Sequence, residues 1–207
     1  MKYNLFFWLI LAILFTQTFL TFSLGKRPLS KNPSKNMVLV IPNQNYRDKE
    51  LAQTKELLLL NGYHITIAAS SLNDAIGMNG MVIKPEVTFN KVKKNKYGAL
   101  LILEFPPESL VLDQSMINDP HLFRLINHFY KKEKVIAAIG YSSIILFKSG
   151  ILADKKYTGQ LLDKTEIDPT HYTGFDLEKD GRIVTALDSS HIEKLIQLLM
   201  QTIEENQ

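Results

Sequence analysis

Four short, almost unbroken apolar runs constrain the fold most: MVLVIP (Met37 to Pro42), YHITIAAS (Tyr63 to Ser70), YGALLILEF (Tyr97 to Phe105) and KVIAAIG (Lys134 to Gly140). Each is too short for a helix and too continuous for a strand with one wet face. Such runs are strands of a parallel sheet covered on both sides. The segments between them have helical spacing. NQNYRDKELAQTKELLLLNG buries Leu51, Leu57, Leu58 and Leu60, with Asp48 or Asn45 as its cap and Asn61-Gly62 closing it. HLFRLINHFYKK places Leu122, Phe123, Leu125, Ile126 and Phe129 on one side. Alternating strands and helices predict an α/β, doubly wound, mostly parallel sheet with helices on both faces.

The last third is more broken. ILADKKYTG reads as a short strand and residues 160–174 as loop. FDLEKDGRIVTAL forms two extended arms around Asp180-Gly181. The terminal helix carries an Ile192, Leu195, Ile196, Leu199, Ile203 stripe, with Ser189 or Ser190 as its cap. Gly80 to Val92 reads as short extended pieces around Pro85.

Ahead of this domain (residues 37–207), the chain has no charge between Lys2 and Lys26, and Leu5 to Phe15 are all apolar. Two readings of residues 1–25 compete. An uncleaved hydrophobic helix, spanning a membrane through residues 5–24, fits the uncharged length. A signal peptide fits Lys2, the apolar centre, and small Ser23 and Gly25 before Lys26. The domain is then membrane-anchored or exported. Basic residues are denser after the segment (Lys26, Arg27, Lys31, Lys35), which favours the cytoplasmic side for an uncleaved anchor. Lys26 to Asn36, with two prolines, reads as a flexible linker.

The net charge of +3 and the lack of a basic stripe with aromatics give no reason to invoke nucleic acid. The basic run Lys91 to Lys96 reads as a solvated turn, with attraction to an anionic membrane as its second reading. There is no cysteine, which excludes disulfides, thiolate metal sites and a cysteine nucleophile. His64, His121, His128, His171 and His191 include no i, i+4 pair, and no metal or cofactor is implied.

Ligands of such sheets bind at the carboxyl ends of the strands. Those ends are Asn43 to Asp48, Ser70 to Asn73, Leu103 to Pro107 and Gly140 to Ser143. AAIGYSS, an apolar run breaking at Gly140 into a helix, has the form of a nucleophile elbow. Its serines, Ser142 and Ser143, read as helix caps, and Tyr141 as a residue filling volume.

The order of these pieces, with AAI before the elbow, SGIL after it and EKDGRIVT before the last helix, resembles the PfpI-type family over Met37 to Ile203. That family includes intracellular-protease-like proteins and the parkinsonism-associated deglycase. The resemblance implies a flavodoxin-like, class I glutamine amidotransferase-like fold and a homodimer. It also implies a cysteine after the AAI strand end, where this chain has Gly140, and often a histidine next, where it has Tyr141. A further family histidine falls at Gly159, and a glycine-rich oxyanion strand end falls at Leu103, Glu104 and Phe105. The family's acidic partner of the cysteine matches Glu50. The site thus marked, Glu50, Glu104, Gly140, Tyr141, Ser142 and Gly159, has a carboxylate but no thiol, so no residue is assigned as catalytic. The expectation is a non-catalytic binding or interaction domain, stress-related in role. The competing reading is a hydrolase, glyoxalase or deglycase-like enzyme with cysteine-independent chemistry, using Glu50 with a serine or water.

Overall fold

A computed structural model describes residues 28–104, 116–161 and 170–207. The N-terminal hydrophobic helix, Phe105 and the loop expected over 162–169 lie outside the described residues. Among the described residues no helix is long and apolar enough to cross a membrane.

Among the described residues ten strands form: β1 (Asn36–Val40), β2 (Gln44–Tyr46), β3 (His64–Ala69), β4 (Ala75–Gly77), β5 (Val82–Ile83), β6 (Val87–Thr88), β7 (Ala99–Ile102), β8 (Val135–Ile139), β9 (Leu177–Asp180) and β10 (Ile183–Ala186). The helices are α1 (Asp48–Leu60), α2 (Pro120–Lys131), α3 (Ser143–Lys148) and α4 (Ile192–Glu205). The main sheet has the order β6-β3-β1-β7-β8-β10-β9. Every pairing in it is parallel except the β9–β10 hairpin, which turns at Gly181 with φ +60°.

The central strands β1, β7 and β8 are almost wholly apolar because each face of the sheet has its own core. Val38, Val40, Leu100, Ile102, Ile136 and Ala138 point to α2 and α3, meeting Leu122, Leu125, Phe129 and Leu146. The alternate residues Met37, Leu39, Leu101, Ala137 and Ile139 point to α1 and α4, meeting Leu51, Leu58, Leu195 and Leu199. This period-2 division gives the doubly wound sandwich. The terminal stripe from Ile192 to Ile203 is buried as expected, and so are Leu122, Leu125, Ile126 and Phe129.

Four local expectations are corrected. Leu60 is exposed, because two residues beyond Leu58 it points about 200° around α1, away from the side that buries Leu51 and Leu58. Neither Asp48 nor Asn45 caps α1. Arg47 holds the cap position without a side-chain bond, while the Asp48 carboxylate accepts N–H bonds from Asn79 and Met81, both at 2.8 Å. Those bonds fasten α1 to a small second sheet, β2-β4-β5, which sequence patterning did not show because its strands are only two or three residues long. The turn before α4 is capped by Asp188, whose carboxylate accepts from Ser190 N–H at 2.9 Å, so neither serine caps the helix. ILADKKYTG contributes only a single bridge, Tyr157 to Tyr172.

The stretch expected to be a flexible linker is held to the domain from Leu29 onward, Leu29 packing against the core. Asn36 Nδ2 donates to the carbonyls of Ser30 and Lys96, each at 2.8 Å, and Ser30 N–H donates back to Asn36 Oδ1 at 2.7 Å. Residues 33–35 form a 3-10 turn capped by Asn32, which lies so close to Gly98 that a Cβ there would stand 2.6 Å from Ser34 Cα.

Candidate functional site

The chain runs β1, β3, β6 outward on one side and then resumes with β7 on the other side of β1. A crevice at the carboxyl ends of β1 and β7 follows from that reversal. Four segments deliver side chains to it: the first turn of α1, the residues after β7, the turn after β8 and the turn after β10.

The elbow is present. β8 ends at Ile139, Gly140 takes a left-handed φ of +59°, and a 3-10 turn over Gly140–Ser142 leads into α3. Any residue with a Cβ meets a cost of roughly 1–2 kcal/mol in that conformation, so glycine suits the turn.

The space beside Gly140 is occupied. A Cβ built there would lie 2.1 Å from Glu104 Oε1 and 2.4 Å from its carboxyl carbon. The Glu104 side chain, fully buried, therefore fills the volume that a side chain at position 140 would need. Sheet register explains the meeting. Ile102 pairs with Ala138, an offset of 36, so 104 follows opposite 140 at the same crevice.

Gly159 repeats the pattern. A Cβ at 159 would lie 2.0 Å from Ser143 Oγ and 2.7 Å from the Gly140 carbonyl oxygen. Positions 140 and 159, where the family resemblance implies a cysteine and a histidine, are thus closed by neighbours.

The serines do not cap α3. Ser142 Oγ, buried, donates to the Leu103 carbonyl and ties the elbow to the end of β7; Ser143 Oγ donates to the Gly140 carbonyl at 3.0 Å. With each hydroxyl proton directed to a carbonyl oxygen, neither bond reaches a base. Tyr141 packs half-buried against the α2-side core, as a volume-filling residue should.

Glu50 and Glu104 come together. Glu50 is 4% exposed, and its Oε1 accepts the Glu104 backbone N–H at 2.8 Å; its Oε2 has no hydrogen-bond partner. Burial pushes the Glu50 carboxyl up to about 8, partly offset by that N–H bond, with the Glu104 charge adding to the rise. Glu50 is therefore mostly a neutral acid at pH 7. Burial also raises Glu104, and Arg47 and then Ser189 oppose the rise. Arg47 Nε stands 2.9 Å from Glu104 Oε2, its side chain 35% exposed, in a close but poorly aligned ion pair.

A carboxyl whose folded value lies above its unfolded value binds its proton more tightly in the folded state. Stability is then greatest below the unfolded value near 4.5 and falls as pH rises through about 8. The expected slope for Glu50 approaches about 1.4 kcal/mol per pH unit within that window. Glu50→Gln keeps an acceptor for the Glu104 N–H and cannot ionise. Urea midpoints measured from pH 5 to pH 8 should fall less steeply in the variant than in the parent chain.

Arg47 and Ser189 were not found from sequence. Arg47 sits in a polar loop with no pattern to mark it. Ser189 reaches the site from the turn after β10, 85 residues beyond Glu104 (189 less 104). Arg47, Glu50, Gln53, Met78, Ser189 and Glu193 line an open cleft of about 660 Å³. Gln53 Nε2 donates to Glu193 Oε1 at 2.7 Å across it. Among the described residues, no group of three His, Asp or Glu is placed to hold a metal.

The profile of the DJ-1/PfpI family matches residues 36–204. An uncharacterized protein of Methanocaldococcus jannaschii is 26% identical over 202 residues, 96% of each chain. A deglycase of Pyrococcus horikoshii is 25% identical over 122 residues, covering 58% of this chain and 70% of the deglycase. Among solved structures, a ThiJ/PfpI domain protein from Brachyspira murdochii superposes with a TM-score of 0.75 at 19% identity, covering 84% of this chain and 99% of its own. A putative protease I from Bacteroides thetaiotaomicron gives 0.70 at 20% identity, covering 81% and 98%. With the fold, the elbow after β8 and a family match spanning nearly the whole described domain, the chain belongs to the DJ-1/PfpI family.

Proposed function

We propose that this chain is a non-catalytic member of its family, a binding or interaction module whose cleft recognises a small ligand without transforming it. The observation that carries the reading is the Glu104 carboxyl lying where a side chain at position 140 would project. With no cysteine anywhere in the chain, the family's thiol chemistry has no nucleophile. Glycine at 140 and glutamate at 104 are mutually dependent, which suits a site reshaped for binding.

The module is held at a membrane, or exported, through residues 1–25. The uncharged stretch supports this. A homodimer is the assembly we favour, supported by exposed apolar Ile76, Met78, Met81 and Val82 on the small sheet and its flank. A stress-related role follows only from the family likeness.

One observation favours a second reading. Glu50 is a buried, neutral acid with a free Oε2 beside the cleft, the form of a general acid. Methylglyoxal and peptide turnover by the purified full chain distinguishes the two. We expect none, in the parent chain and in Glu50→Gln alike. Turnover that disappears in Glu50→Gln would make the chain an enzyme of altered chemistry.

A further inference from the structure

The pole of the domain opposite the cleft, at the amino ends of the parallel strands, carries an unbalanced cluster of lysines. Lys91, Lys93, Lys94 and Lys96 precede β7, and Lys131 and Lys132 precede β8. Five of these six are exposed, Lys94 being half-buried, and none forms an ion pair among the described residues. The two groups form one surface. Lys134 Nζ reaches across from the β8 side to donate to the Lys94 and Tyr97 carbonyls, at 2.7 and 2.5 Å. The acidic side chains nearby are already matched: Glu133 with Arg182, Glu204 with Lys35, Glu205 with Lys179, Asp180 with Lys155. The surplus charge is also felt locally. Behind burial, the largest cause, Lys94, Lys134 and Lys132 all hold the His128 imidazole below its usual range.

The chain enters the domain on this same pole. Ser30 and Lys96 share Asn36 Nδ2 as their donor, so the packed segment beginning at Leu29 is fixed beside the lysine turn. Only five residues lie between Leu24, the end of the apolar segment, and Ser30, a span of six Cα steps. Fully extended, they reach about 20 Å. That length keeps the lysine pole within this reach of whatever surface receives the apolar segment.

We propose that the amino-terminal pole, centred on Lys91 to Lys96, is a docking face for an anionic lipid bilayer. The inference rests on the membrane reading of residues 5–24 for its orientation and on the lysine cluster for its chemistry. Docked this way, the domain presents its cleft, at the far pole, to solvent. The face attracts anionic headgroups as a diffuse charge, weakening within about 8 Å in physiological salt.

The test uses the full chain reconstituted with vesicles of phosphatidylcholine, alone or mixed with phosphatidylserine, and maps lysine acylation rates by mass spectrometry. We expect Lys91, Lys93, Lys94 and Lys96 to react several-fold more slowly with phosphatidylserine present, and high salt to erase the difference. Lys49 and Lys194, exposed at the cleft pole, should react equally in both. Equal rates at Lys91 to Lys96 in the two lipids overturn the docking face, even if an alkaline carbonate wash leaves the chain in the vesicles. Protection by phosphatidylserine in a chain that the wash removes upholds the face and discards the anchor. The combined variant Lys91→Gln, Lys93→Gln, Lys94→Gln and Lys96→Gln keeps the backbone carbonyls that Lys134 and Asn36 use. It should lose the preference for phosphatidylserine in vesicle flotation, and retention of the parent's preference overturns the proposal.

Discussion

Gly140→Cys should lower stability by about 2–5 kcal/mol. The left-handed backbone at 140 contributes roughly 1–2 kcal/mol of this. Displacing the Glu104 carboxyl, 2.1 Å from the new Cβ, adds about 1–3 kcal/mol as overpacking. Urea unfolding read as a midpoint shift measures the sum. The second part belongs to the pair of residues rather than to either one. In a double-mutant cycle with Glu104→Ala, the cysteine should therefore cost less in the alanine background, by about 1–3 kcal/mol. Strict additivity would mean that the carboxyl does not stand in the way.

Arg47→Met should cost about 3 kcal/mol at neutral pH. Removing one partner of a buried pair leaves a charge without compensation, worth roughly 3–5 kcal/mol when both partners are fully buried. The lower end applies because Arg47 is 35% exposed. Glu104, already raised by burial, rises further once the opposing guanidinium is gone. Its proton is then bound more tightly folded than unfolded, so the deficit should shrink as pH falls and grow as pH rises. Glu104→Gln in the Arg47→Met background removes the charge and should recover most of the loss. Thermal midpoints of the parent chain and the two variants at two pH values read this directly. A loss in Arg47→Met that stays constant with pH and survives Glu104→Gln would assign Arg47 a packing role only.

The scaffold was legible because its strands are buried on both faces. Apolar runs such as MVLVIP and VIAAI announce themselves without any knowledge of their neighbours, and the stripe from Ile192 to Ile203 needs only helical spacing. The elbow was legible for the same local reason: a strand ending at Ile139, a glycine, then a helix. What local pattern could not show was which side chain fills the elbow. Glu104 is 36 residues from Gly140, and only the β7–β8 register brings them together. Aligning ALLI with VIAA, four apolar residues on four, would have supplied that register, and two residues further along each strand the carboxyl meets the glycine.

Expectations for single polar residues fared worse, and for one reason. Ser142, Ser143, Asp48, Ser189 and Ser190 all sit where a helix cap is wanted, but tertiary partners claim them or a better acceptor is next door. Ser142 bonds across to Leu103, Asp48 to the small sheet, and Asp188 takes the cap that Ser189 or Ser190 was expected to fill. The linker failed similarly. Pro28 and Pro33 mark a segment without regular structure, yet Asn36 and Gly98 give it a fixed bed. Polarity told where the backbone leaves helices and sheets, not whether it is free.

The central proposal is that Glu104 fills the space beside Gly140 that the family resemblance gives to a nucleophile. Because the chain has no cysteine of its own, Gly140→Cys introduces a single thiol whose alkylation rate reports that place alone. With iodoacetamide under native conditions, the thiol should react slowly in Gly140→Cys and much faster when Glu104→Gly is added, since only the second variant clears the space. Equal, rapid alkylation in both would contradict the account, because a carboxyl that fills the elbow cannot leave the thiol equally open.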